Sequence, residues 1–180
     1  MRNLVSVLLC VAVAQAGAGA APSSWLGHQL DPAQTAFCRA KGCTLQNVRQ
    51  NDFNTMGWHD GTMRRYSLRG GITLEVDVRP AGWISNARLL FPIVRTKDGW
   101  SGMTPNDHRL AAEFLSVITG RRFSAASIAA CERAGLALHD PDAYGPREPL
   151  SHWSTPDGLP FRARCGVGGQ LGVWAGWMQA

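Results

Sequence analysis

Apolar and polar positions change period twice along this chain of 180 residues. The clearest run is 72–78, where Ile72, Leu74, Val76 and Val78 alternate with Thr73, Glu75 and Asp77. Period two with β-branched residues is the pattern of a half-buried strand. Residues 63–69 precede it across Gly70-Gly71, a two-residue hairpin signal. Residues 83–94 follow a turn at 79–82, with Pro92 marking an end or an edge position. Together these runs predict a three-stranded antiparallel meander.

The period then becomes helical. Thr104-Pro105-Asn106-Asp107 has the form of a capping box with proline in the first turn. Leu110, Phe114 and Ile118, flanked by Ala111 and Leu115, share one helical face, and Gly120 ends it. Ser124 opens a second helix that turns Ile128 and Cys131 toward the core and stops at Gly135. Residues 161–165 and 171–178 form a closing hairpin turned by glycines at 166–169. In its last strand both faces are partly apolar, which suits a central or covered position, and glycines beside Trp174 make room for an indole.

Upstream of the meander, residues 22–30 read as an extended lead-in. Asp31-Pro32 starts a short helix over 33–40 that Gly42 terminates. Residues 44–48 suit a short strand and 49–61 a polar loop. Residues 139–160, with five prolines and two glycines, read as a long irregular surface segment. His108, in the first helical turn, is expected in solvent. Strands in runs and helices in runs give an α+β fold. The expectation is an antiparallel sheet of about five strands, meander plus hairpin, with two or three helices on one face. No internal repeat or linker divides 21–180, which reads as one domain.

The N-terminus sets the compartment. A positive start at Arg2, an apolar run over 4–13 and small residues with several Ala-x-Ala sites make 1–20 a secretory signal peptide. The run has half of the roughly 20 residues a membrane-crossing helix requires, and no transmembrane segment is expected after cleavage. Cys10, preceded by bulky residues, reads as a small hydrophobe of the leader. The predicted location is secreted or periplasmic, in a bacterium.

Export changes how the cysteines are read. Cys38, Cys43, Cys131 and Cys165 remain, an even number that suggests two disulfides. The preferred pairing is 38 with 43 and 131 with 165. Zinc ligation or thiol chemistry is the competing use, but only one loosely spaced pair exists.

Charge adds little. The net charge is +5, sixteen arginines accompany two lysines, and no basic run reaches five residues. Nucleic acid is therefore not expected as a partner. No cofactor or metal motif is present, and no serine sits in a nucleophile elbow.

Two side-chain groups could carry function. Seven tryptophans are many for this length, and Trp58, Trp100 and Trp153 fall in segments read as loops. With His59 they are the candidate binding residues, as an aromatic groove. The preferred function is a non-catalytic exported binding domain of the cell envelope or extracellular space. Its partner would be a protein or an envelope component. The alternative is a small secreted hydrolase using His59 with Asp60, or a metal held by the 139–152 segment through His139, Asp140, Asp142 and His152. A third idea makes the 139–160 segment an inhibitory loop.

Overall fold

A computed structural model describes residues 24–50, 61–93, 95–96, 99–100, 102–136, 153–166 and 171–177. The expected leader and the loop carrying Trp58, His59 and Asp60 lie outside these residues, as do 137–152.

The chain enters through an extended segment whose backbone joins two distant elements. The N–H groups of Trp25 and Leu26 donate to the Ile118 carbonyl, and that of Gly27 donates to Ile84. The predicted 33–40 helix is broken in two. Asp31 caps a single 3-10 turn at Pro32–Gln34, and Thr35 then caps α1 (Ala36–Lys41). Each cap satisfies amide donors that the other turn cannot reach, so two short pieces replace one helix. Gly42 ends α1 in the left-handed conformation, with φ 70°.

Strands β1 (Thr44–Gln50), β2 (Thr62–Ser67), β3 (Thr73–Val78) and β4 (Ile84–Phe91) form a four-stranded meander. The β2–β3 turn is longer than the two-residue loop expected. Leu68 and Ile72 close it by a backbone hydrogen bond, with Gly70 and Gly71 at positive φ. The turn at Arg79–Gly82 forms as expected, and β4 ends just before Pro92. A two-residue hairpin, β5 (Arg95–Thr96) with β6 (Gly99–Trp100), leads to helix α2 (Pro105–Thr119).

The predicted capping box of α2 is complete: Asp107 N–H donates to Thr104 Oγ1 and Thr104 N–H donates to Asp107 Oδ2. Gly120 is its left-handed cap. Helix α3 (Ala125–Leu136) begins where Ser124 and Ser127 exchange hydrogen bonds. It runs one residue beyond Gly135, the expected stop; glycine weakens a helix interior but does not end it. No helix among the described residues is long and apolar enough to cross a membrane.

Strands β7 (Trp153–Ser154), β8 (Pro160–Gly166) and β9 (Leu171–Trp177) complete one antiparallel sheet in the order β1-β2-β3-β4-β9-β8-β7. Seven strands, one of only two residues, replace the five expected. The additions are the edge strands at either end: β7 is two residues long, and β1, seven residues long and expected as a short strand over 44–48, extends the meander. The final strand β9 is central, between β4 and β8.

Register then sorts the side chains into two faces. Tyr66, Leu74, Val76, Leu89, Val173, Ala175, Phe161 and Ala163 point to the helices, and all are buried. Helices α2 and α3 pack over β4, β9 and β8. Phe114 of α2 meets Trp25 and Phe37 at ring distances of 6.3 and 5.7 Å. The predicted bridges form: Cys131–Cys165 ties α3 to β8, and Cys38–Cys43 ties α1 to the start of β1. None of these four sulfurs is a free thiol, which removes the zinc and thiol readings for them. Disulfides persist outside the reducing cytosol, so the pairing fits a non-cytoplasmic compartment.

Candidate functional site

The face of the sheet turned away from the helices carries a row of charged and aromatic side chains. Cross-strand register places Arg65 (β2), Glu75 (β3), Arg88 (β4), Trp174 (β9) and Arg164 (β8) in one row. Neighbouring strands are about 4.8 Å apart, so the row spans roughly 19 Å.

Alternation explains how it arises. Glu75 lies between Leu74 and Val76, which face the core, so the pleat turns it to the opposite side. Its carboxylate is nonetheless only 3% exposed, clamped by arginines from both neighbouring strands. Arg65 Nε donates to Glu75 Oε1 at 2.8 Å, and Arg88 Nε pairs with Oε2. Arg65 itself stays 41% exposed and Arg88 21%, so the triad presents the Arg65 guanidinium to solvent, with Arg88 mostly covered, over one buried carboxylate. Arg88 also donates to the sulfur of buried Met63 at 3.3 Å.

At the other end of the row the Arg164 guanidinium lies 4.8 Å from the centre of the Trp174 ring. That distance is in the range of a cation–π contact. Gly176, two residues along β9 on the same face, supplies the room. A Cβ there would stand 3.0 Å from Trp174 Cζ2 and closer still to Asn86 Oδ1. The expected Gly/Trp packing is therefore present.

The next row holds Arg49, Met63, Asp77, Asn86, Gly176 and Arg162. Asn86 Nδ2 donates to Asp77 Oδ2 at 3.0 Å, while Asp77 Oδ1 is buried without a hydrogen bond. Burial pushes the Asp77 carboxyl above its ordinary range. The Asn86 hydrogen bond and the Arg88 charge act in the opposite direction and do not cancel it.

A second polar cluster lies beside α2. His108 Nε2 meets Glu132 Oε2 at 2.6 Å, and Glu132 Oε1 accepts from Met103 N–H. His108 is thus not in solvent as expected: its side chain is 15% exposed because the first turn of α2 packs on α3. The pair ties α3 to the entrance of α2. No group of three or more possible metal ligands occurs among the described residues.

The sequence-derived candidates are not brought together. Trp58 and His59 lie outside the described residues, as do His139, Asp140, Asp142 and His152. The backbones of Trp100 and Trp153 are in strands, not loops: Trp100 pairs with Arg95, and Trp153 with Phe161. Their short strands had no alternation to reveal them. The arginine row was missed for a related reason. Arg65, Arg88 and Arg164 are scattered in sequence, and only strand register aligns them. The one available signal was Glu75 and Asp77 on the polar side of the clearest strand. No family model, no curated protein and no solved structure matches this chain.

Proposed function

We propose that this chain is an exported bacterial, non-catalytic binding domain that works in the cell envelope or outside the cell after loss of its 1–20 leader. The observation that carries this reading is the row Arg65–Glu75–Arg88–Trp174–Arg164 on the face turned away from α2 and α3 of a disulfide-locked sheet. Guanidinium groups beside an indole suit recognition: arginine forks grip carboxylates and phosphates, and both side chains are enriched where binding energy concentrates. A rigid sheet holds them without an ordering cost on binding. The partner class is an envelope component, a protein surface or an anionic polymer. Trp58, Trp100, Trp153 and His59 remain proposed binding residues in their own right, apart from this row.

Co-sedimentation of the purified chain with isolated envelope fractions tests the proposal. Wild type should sediment with them. Arg164→Ser combined with Trp174→Ala should raise the dissociation constant by about tenfold, the loss of roughly 1.4 kcal/mol, without changing the far-ultraviolet circular dichroism. The Trp58, Trp100 and Trp153 triple alanine variant should weaken binding in the same way. Unchanged binding in both variants, or a hydrolytic activity abolished by His59→Ala, would overturn it.

A further inference from the structure

Among the described residues the sheet's first edge is open: strand β1 is bonded on one side only, to β2, and all seven of its residues are exposed. Leu45 and Val48, at 50% and 52%, are the exposed large apolar side chains among the described residues.

These two are three positions apart, which in a regular strand puts them on opposite faces. Here they share a face. Leu45 pairs with Tyr66 and Val48 with Arg64, two residues apart on β2, because a bulge at Gln46 absorbs the odd residue. The bulge therefore aligns both apolar side chains on the helix side of the sheet, at its rim. The Gln46 side chain is drawn back to Ser67 Oγ at 2.8 Å, away from the open edge.

We infer that β1 pairs antiparallel with β1 of a second copy of this chain, joining two sheets across a two-fold axis at Asn47. The strand is self-complementary in that register. With the bulge counted as one position, Asn47 faces its own copy, Leu45 faces Val48 of the second copy and Val48 faces Leu45. Arg49, the one charged residue of β1, faces Thr44, so no like charges oppose. Two cross-strand apolar pairs form side by side, and the unsatisfied backbone groups of the edge find partners. An isologous contact of this kind closes after two chains.

The test is sedimentation velocity over a concentration series, on the purified chain with both disulfides formed, together with cysteine cross-linking. A reversible dimer is expected. Val48→Lys and Leu45→Lys should each raise its dissociation constant at least about tenfold, since each removes both apolar pairs of the dimer. Asn47→Cys should form a covalent dimer under mild oxidant well before Arg49→Cys, because only position 47 faces itself. A monomer at every concentration, as expected if the edge serves a different partner, would overturn the inference. So would a dimer indifferent to both lysine variants, or equal cross-linking at 47 and 49. Should a lysine variant fail to fold, the cross-linking comparison decides alone.

Discussion

Replacing Cys131 and Cys165 together by alanine is the sharpest probe of what holds this fold. The two cysteines are 34 residues apart in sequence, with Cα atoms 6.2 Å apart. In the chain-entropy account, closing a loop of that length removes about 4 kcal/mol of freedom from the unfolded chain at 25 °C. Both side chains are buried, so truncation also leaves a small cavity that adds on the order of 1–2 kcal/mol. The companion variant, Cys38→Ala with Cys43→Ala, opens a loop with a separation of only 5; the same account gives about 2 kcal/mol. Urea unfolding followed by tryptophan fluorescence measures both losses. The long-loop variant should show the larger drop in midpoint. It should also show a steeper slope, because its unfolded state expands and exposes more surface. A typical domain is stable by about 5–15 kcal/mol, so the long bridge supplies a large share. If the long-loop variant proved no less stable than the short-loop variant, the loop-length reasoning would be refuted.

Two further outcomes follow from the face turned away from α2 and α3. Glu75→Ala should cost about 2–4 kcal/mol in urea unfolding, below the full range for breaking a buried ion pair because Arg65 is 41% exposed; Arg65→Ala should cost less than Arg88→Ala, and the reverse order would show that exposure does not govern these pairs. Asp77 gives a pH signature: its folded carboxyl titrates above the ordinary value of 3.8, so the folded state holds the proton more tightly than the unfolded state. Its burden on stability is then complete above the folded value and disappears as pH falls toward 3.8. Asp77→Asn should therefore stabilise the protein near neutral pH, with the gain over wild type shrinking in acid; a gain independent of pH would contradict the sign.

The elements with strong local signals were legible from the sequence. Residues 72–78 alternate because β3 has one face on the core, and Thr104 to Asp107 close a cap whose donors lie within one turn. Both disulfides followed from an even cysteine count and the position of the elements they join. What escaped was non-local. The split of the 33–40 helix depends on Thr35 offering a second cap. The strands at Trp100 and Trp153 are two residues long, and their pairing comes from a neighbour rather than from alternation. Its place in the first helical turn suggests solvent for His108; its partner Glu132 lies on the next helix, 24 residues away. The arginine row depends on the register of five strands, and a single chain segment shows none of it.

The central place of β9 has a consequence for how the molecule comes into being. Until Leu171–Trp177 arrives, β4 and β8 each present a rim of unsatisfied amides and carbonyls, and the meander and the short hairpin partner remain separate pieces. Assembly must therefore wait for the last strand, and its long-range contacts make that step slow compared with local helix formation. A chain whose β9 has yet to dock therefore exposes two strand edges at once, the condition in which strands of different molecules pair wrongly.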